Sequence, residues 1–240
     1  MSAMPRPTPE QESLAREIQT SGIILVEGRT AEMFLRELIE KELNLKRQVE
    51  ARTFGEKEAS NLTLFLNAFA TKSEFRQHVE RLGIIRDAET EGGPNAFGSV
   101  INGVKAFNHQ NPTFALPLPT QPSSITNAVS ARTQLSVFIL PDCTKPGMLE
   151  TLCLDAVGEI EQGSQPQTRL LPCVIDFFNC LDRRGQKPKN PTKAMFAGFA
   201  LAKDVIDPQL GRAAQKGAIP WNAKAFDSLK AFVRSIGGEP

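Results

Sequence analysis

Three short, predominantly apolar runs constrain the fold of this chain more than any other feature of its sequence. They are Ile23–Val26, Leu82–Ile85 and Leu135–Leu140. None shows the strict polar alternation of a strand with one face in water, so each is typical of a strand buried on both faces, as in a parallel sheet. The sequence therefore favours an α/β fold in which helices cover both sides of the sheet.

The segments between these runs have helical periodicity. Phe34, Leu35, Leu38 and Ile39 fall on one face of a helix that follows the first run. Gln48–Phe54 predicts a further strand. Strands that alternate with helices predict βαβ units, and hence a mainly parallel, Rossmann-like sheet with right-handed crossovers.

The same patterns suggest how the chain is organised. We expect a polar N-terminal tail over residues 1–20, an α/β core over 21–160 and a helical extension over 161–240 that packs on the core. The segment 109–134 is rich in proline and reads as a long connection. A short strand is expected within it at Phe114–Leu116.

Composition limits the function. The 28 Lys and Arg residues against 27 Asp and Glu residues leave a net charge of +1, so any contact with nucleic acid requires a local patch or a small substrate. The chain has no tyrosine, which excludes strand passage through a phosphotyrosine carried by this polypeptide. It also has no apolar run of about 18 residues and no signal-peptide core, so we expect no membrane span and a cytoplasmic location.

Glu27 and Gly28 follow the first buried strand directly. Ligands of open α/β sheets bind beyond the carboxyl ends of the strands, which is where Glu27 is expected to lie. Gly28 has no Cβ, so the chain can turn sharply and a phosphate or metal can approach the backbone. A helix-entry turn with a surface glutamate is the competing interpretation.

Asp87 and Glu89 follow the third predicted strand in the same way. In an extended segment, residues two apart point to the same side, so both carboxylates are expected to face one point. Crowded carboxylates raise each other's pKa unless a cation neutralises them, and oxygen ligands favour Mg²⁺, Mn²⁺ or Ca²⁺ over zinc. A solvated acidic loop is the alternative.

Together these motifs resemble a known family. ILVEGRTAEMFL is similar to the first motif of Toprim domains, and LGIIRDAE to the second, with its two acids spaced by one residue. ILPDCTKPGMLETLCL, KNPTKA and GRAAQKGAIPWN resemble a prokaryotic Toprim-like family of unknown function (domain of unknown function 3226) and, more distantly, the overcoming-lysogenization-defect nucleases. The resemblance implies a Toprim-type sheet flanked by helices that binds magnesium for phosphodiester chemistry.

The resemblance also suggests further site residues. Glu150 is similar to a glutamate with which the lysogenization-defect nucleases hold a second metal, and Lys193 is similar to a lysine of the same nucleases that would contact phosphate charge. Independently of the resemblance, Asp142 ends the predicted strand SVFILPD at a carboxyl edge and is a further candidate metal ligand, with a turn residue as the alternative. For Glu150 the alternative is a surface glutamate at a helix N-terminus.

Two positions depart from the Toprim pattern. Related proteins often carry an acid where this chain has Ala31, and Glu32 is expected to point elsewhere because a helix turns by about 100° per residue. Glu89 stands where aspartate is usual and adds one methylene of reach. Both differences are compatible with a weakened or retuned metal site.

The sequence therefore predicts Mg²⁺- or Mn²⁺-dependent phosphodiester chemistry on nucleic acid, with a Toprim-type nuclease as the first hypothesis. Glu27 would bind metal or act as general acid/base, and Asp87 and Glu89 would be metal ligands. A primase-like nucleotidyl transferase and an inactive module that binds a nucleotide or a partner are the alternatives. The oligomeric state stays open, a homo-oligomer being one alternative.

Overall fold

A parallel sheet of four strands forms the centre of the computed structural model, which describes residues 7–55, 59–126 and 132–239. The strands lie in the order β2-β1-β3-β4. They are β1 (Gly22–Val26), β2 (Val49–Thr53), β3 (Arg81–Asp87) and β4 (Gln134–Leu140). Ile23, Ile24 and Leu25 are fully buried, as expected of a central strand covered on both faces.

Ten α-helices surround the sheet within the described residues. They are α1 (Pro9–Ala15), α2 (Arg29–Glu37), α3 (Ala59–Phe69), α4 (Ser73–His78), α5 (Gly93–Gln110), α6 (Leu149–Gln162), α7 (Leu171–Arg183), α8 (Pro191–Ala202), α9 (Leu210–Gln215) and α10 (Asp227–Gly237). A π-helical turn, Leu38–Glu42, continues α2. Within the described parts of the chain, no helix is both long enough and apolar enough to span a bilayer.

The two faces of the sheet carry separate apolar cores. One core joins the sheet to α2, α6, α8, α9 and α10, and includes Phe34, Phe196 and Phe226. The other joins it to α3, α4 and α5, and includes Phe69 and Phe107. The helices that connect β1 to β2 and β3 to β4 therefore lie on opposite faces.

Helix α10 lies unusually close to the sheet because two strand positions are glycine. A Cβ at Gly22 would stand 2.5 Å from the carbonyl oxygen of Ile236, and one at Gly83 would stand 3.1 Å from side-chain atoms of both Ile236 and Phe232. Only a residue without a side chain leaves room for this contact. The C-terminal helical third thus packs directly on β1 and β3.

The predicted α/β class, with a mainly parallel sheet and a helical C-terminal third, is confirmed. The strand expected at Phe114–Leu116 is wrong, because Pro112–Phe114 forms a 3-10 turn. The side chain of Asn108 supplies the partner that a neighbouring strand would have provided. It accepts a hydrogen bond from the amide of Leu116 and donates one to its carbonyl, each of 2.8 Å.

Candidate metal-binding and active site

Glu27 follows β1 directly, where the chain turns into α2. Gly28 caps α2 with a φ of 81°, a conformation that strains residues bearing a side chain. Its amide donates a 2.9 Å hydrogen bond to the carbonyl of Gly55, just beyond β2. Glycine at this position lets the chain reverse at once, which keeps Glu27 at the carboxyl edge of the sheet.

Asp87 is the last residue of β3 and lies against the start of α6. Its backbone is in register with Leu140 of β4. Its Oδ1 accepts a 3.0 Å hydrogen bond from the backbone N–H of Leu149, the first residue of α6. The first N–H groups of a helix have no partner within it and favour negative charge, so this contact fixes the carboxylate in place.

The two acids meet where the connections of the sheet diverge. From β1 the chain passes to β2 across one face, and from β3 it passes to β4 across the other face. Open α/β sheets bind ligands in the crevice between the carboxyl ends of two such strands. Here that crevice is a cavity whose lining includes Glu27, Arg86 and Asp87.

The cavity is small, and its remaining walls are mostly apolar. The space open to the centre of a water molecule is about 20 Å³, room for one water or one cation. Leu149 from α6 and Leu229 from α10 form part of its walls, together with Ala31 from the first turn of α2. The side chains of Glu27 and Asp87 therefore share one space at the switch point of the sheet.

The pKa of Asp87 responds to the charges of three other carboxylates of the site. Burial, followed by the negative charge of Glu150, raises the pKa of Asp87 to about 7. The charges of Glu89 and Glu27 act in the same direction, and the hydrogen bond from Leu149 opposes them. The sequence prediction that these acids come close enough to interact thus agrees with the structure.

Glu89 joins the cluster through a geometry that the sequence did not predict. The strand ends at Asp87, and Glu89 adopts a left-handed φ of 51°, so the expected extended arrangement is wrong there. The reason is an antiparallel bridge in which the amide and carbonyl of Glu89 pair with Gly147 at 2.8 Å and 2.7 Å. The carboxylate is exposed, but its charge acts on both Asp87 and Glu150.

Glu150 and Lys193 approach the cluster from two helices. Burial raises the pKa of Glu150, and the charge of Glu89 adds to the shift, whereas the charge of Lys193 opposes it. Lys193 is exposed near the start of α8, where its amide donates a 3.0 Å hydrogen bond to the capping Asn190. The structure therefore places Glu150 close enough to Glu89 and Lys193 for their charges to interact.

Comparison with known proteins places the chain in a family. Residues 21–237 match the family model described as a protein of unknown function (DUF3226). The chain belongs to this family. None of the curated proteins matches the sequence.

Solved structures also resemble the chain. Two structures of the C-terminal region of the Xanthomonas campestris pv. campestris OLD protein, phased with mercury and with platinum, align with 91% of this chain at 12% identity. The alignments cover 97% and 94% of those two chains, and each has a TM-score of 0.43.

In this DUF3226 protein, Ala31 occupies the cavity wall where an acid is common in Toprim-like proteins. The next residue, Glu32, does not take its place. Its carboxylate is bound by Arg16 at 2.7 Å and by Arg36 at 3.0 Å, beside β2. The expectation that Glu32 points elsewhere therefore agrees with the structure, and this wall of the cavity carries no charge.

Asp142 is bound within its own turn. Its Oδ1 accepts hydrogen bonds from both the amide and hydroxyl of Thr144 and from the amide of Lys145, and its Oδ2 lies 2.9 Å from Nζ of Lys145. Burial acts to raise the pKa of Asp142, but these contacts together hold it well below its usual range. Its charge also acts on Asp155. The structure thus gives Asp142 the geometry of the turn residue that was its alternative interpretation.

Arg86 is a site residue that the sequence reasoning missed. Its Nε lies 3.8 Å from a carboxylate oxygen of Glu27, and its guanidinium donates a 3.0 Å hydrogen bond to the hydroxyl of Ser99 on α5. It places a fixed positive charge in the wall of the cavity. The available signal was an arginine between the apolar run Leu82–Ile85 and Asp87.

The carboxylates do not form a closed cage. Across residues 7–55, 59–126 and 132–239, no three His, Cys, Asp or Glu side chains come close enough together to hold a metal ion by themselves. Any cation at this edge would therefore complete its coordination with water or with oxygen atoms of a ligand.

Proposed function

We propose that this protein cleaves phosphodiester bonds of nucleic acid with Mg²⁺ or Mn²⁺ at the cavity between β1 and β3. The observation that carries the proposal is geometric. Glu27 and Asp87, about sixty positions apart in sequence, line one cavity at the switch point of the sheet. Ligand sites of open α/β sheets are found at this position.

The residues around the cavity fit a hard divalent cation. Asp87, Glu27, Glu89 and Glu150 offer only oxygen donors, which Mg²⁺ and Mn²⁺ prefer. Mg²⁺ commonly uses one or two carboxylates and fills its other positions with water and substrate phosphate, so a closed protein cage is not required. The raised pKa of Asp87 supports the fit, because a cation would relieve the repulsion among these acids.

The side chains have separate roles in this proposal. Asp87 and Glu27 would hold the cation, with Glu89 and Glu150 as auxiliary ligands, and the bound cation would neutralise charge on the reacting phosphate. Glu27 would also act as general acid/base for the attacking water or the leaving oxygen. Lys193 would contact a phosphate oxygen of the substrate.

Arg86 adds a role that depends on its fixed position. Its guanidinium lies beside Glu27 and is tethered to α5 through Ser99. A guanidinium keeps its charge at any physiological pH and attracts the nearby Glu27 carboxylate. It would orient Glu27 toward the cavity before substrate binds.

A second candidate is a module that binds nucleic acid or a nucleotide without cleaving it. One observation favours it, namely that Ala31 leaves the cavity without the third acid common in Toprim-like proteins. Such a module would bind Mg²⁺ weakly, and Glu27→Gln would leave its binding of nucleic acid unchanged.

Plasmid DNA and single-stranded RNA incubated with the purified protein and Mg²⁺ or Mn²⁺ test the proposal. We expect cleavage that Glu27→Gln lowers by about 100-fold or more, the scale of losing a general acid/base. Glu74→Gln, an exposed substitution on α4, is the matched control and should retain full activity. Equal cleavage by the two variants would refute the role of Glu27.

Two further measurements separate the alternatives. Incorporation of labelled nucleoside triphosphates in place of cleavage would indicate a nucleotidyl transferase. Calorimetric titration with Mg²⁺ that shows the same weak binding in the wild type and in Glu27→Gln, without turnover, would favour the module.

A further inference from the structure

A second polar cavity lies at the outer edge of β2, away from the switch point. About 400 Å³ of it is open to water, and it lies between α2 with its π-helical continuation, the end of α1 and the turn before β2. Four basic side chains line it, against two acidic ones. The basic residues are Arg16, Arg36, Lys46 and Arg47. We call this cavity the β2-edge groove.

The acidic groups near the groove are already partly neutralised. Of the two acidic residues that line the groove, Glu50 is paired at 2.6 Å with the fully buried Arg52, and Glu40 is exposed. Glu32 lies at 2.7 Å from Arg16 and at 3.0 Å from Arg36, so one carboxylate holds two guanidinium groups in place. The basic groups of the groove therefore outweigh its acids.

Lys46 and Arg47 complete the excess of positive charge. Both are exposed in the turn before β2, and in the described parts of the chain neither has a carboxylate within ion-pair distance. Because the net charge of the whole chain is only +1, this is a local concentration of charge. Pairs of Arg and Lys around an open groove are suited to phosphate oxygens.

The groove is also connected to the switch point by α2. That helix begins immediately after Gly28, and Arg36 lies eight residues further along it. Eight residues of helix span about 12 Å. Successive phosphates of a duplex strand advance by roughly 3.4 Å along the axis, so the groove stands about three or four phosphates from the cavity.

We propose that the β2-edge groove binds the phosphodiester backbone of the nucleic acid whose scissile bond lies at the switch-point cavity. The inference rests on the proposed function, since it names a second contact with the same substrate. Lys46 and Arg47 contact the backbone as flexible cations, while Arg16 and Arg36 present guanidinium groups oriented by Glu32. Contacts of this kind fix the position of a strand and carry no sequence information.

Binding measured in EDTA tests the groove separately from catalysis. The probe is a fluorescein-labelled single-stranded DNA of about 20 nucleotides, whose anisotropy is followed at several salt concentrations. The double variant Lys46→Gln/Arg47→Gln is expected to bind about tenfold more weakly, with a salt slope smaller by about 1.4, the value for two lost phosphate contacts. The control Lys105→Gln/Lys216→Gln makes the same change in charge at exposed sites outside the groove and should bind like the wild type.

The outcomes of this experiment separate the two proposals. Weaker binding by the groove variant, but not by its control, supports the proposal that the groove binds the backbone. This holds whether or not the protein cleaves the probe when Mg²⁺ is added. Equal binding by the variant and its control would overturn the proposal that the groove binds the backbone, and it would leave the proposed function unaffected. Equal weakening for a mononucleotide and for the strand also overturns it, because the groove would then be a site for a small phosphate ligand.

Discussion

Asp87 ends β3 and Asp142 lies two residues beyond β4, and the surroundings of the two carboxylates shift their pKa values in opposite directions. Asp87 receives one backbone hydrogen bond among three nearby carboxylates, and its pKa is raised to about 7. Asp142 receives three hydrogen bonds and an ion pair within its own turn, and its pKa is lowered. Neighbouring parallel strands thus lead to one acid whose charge is opposed and one whose charge is satisfied.

The difference shows what distinguishes a candidate site residue from a turn residue at the same edge of a sheet. The turn around Asp142 stabilises its negative charge and leaves little for a ligand to add. The surroundings of Asp87 disfavour its charge, so an added cation has much to stabilise. Both aspartates lie at the carboxyl edge of the sheet, and they differ in burial and in neighbours.

Replacement of Asp87 gives the largest expected effect. Its pKa rises from 3.8 to about 7 on folding, so its contribution to stability is fully present below pH ~4 and is lost as the pH rises through 7. In EDTA at pH 8, Asp87→Asn should increase the free energy of unfolding by up to about 4 kcal/mol. Urea unfolding at pH 4 and pH 8 measures the difference.

At pH 4 the advantage of Asp87→Asn should nearly vanish, since wild-type Asp87 is then protonated in the folded protein. Added Mg²⁺ should raise the midpoint of unfolding of the wild type and not that of the variant. A variant less stable than the wild type at pH 8 would show that the surroundings of Asp87 favour its charge.

Replacement of Asp142 should have the opposite sign and a smaller size. Its folded pKa is depressed, so its contribution is present above pH ~4 and is lost as the pH falls toward the folded value. At pH 7, Asp142→Ala should lower the free energy of unfolding by about 2 kcal/mol, and Asp142→Asn by roughly half of that, because the amide oxygen can still accept hydrogen bonds. Increased stability in either variant would remove the contrast with Asp87.

Replacement of Glu89 should have the smallest effect. Its exposed carboxylate acts on Asp87 only through its charge, after burial and Glu150. We expect Glu89→Gln to lower the pKa of Asp87 by a fraction of a unit, as followed by carbon-detected NMR titration of the Asp87 carboxyl. If Glu89→Gln lowered the pKa of Asp87 more than Glu150→Gln does, Glu89 would be the stronger of the two neighbouring charges.

The sequence was sufficient for the sheet and for the placement of its first acids. The apolar runs stop directly before Glu27 and two residues before Asp87, and these breaks mark the carboxyl ends of β1 and β3. The parallel arrangement follows from the alternation with helices, and it brings the carboxyl ends of the strands to one edge.

The other features of the site could not be predicted, because they depend on contacts between residues distant in sequence or on local turns. The left-handed conformation of Glu89 is set by its bridge to Gly147, and the neutralisation of Asp142 by its own turn. Neither leaves a periodic signal. The β2-edge groove joins Arg16, Arg36 and Lys46 from three separate elements, so it could not be recognised before the fold was known.

One wall of the candidate site comes from far along the chain. Leu229 of α10 lines the switch-point cavity, and α10 is held on the sheet through the close contacts at Gly22 and Gly83. During synthesis, a ribosome completes Glu27 and Asp87 well over a hundred residues before it reaches Leu229. Until α10 docks on the sheet, the cavity lacks the part of its wall that Leu229 supplies, so the candidate site is completed only when the end of the chain has been made.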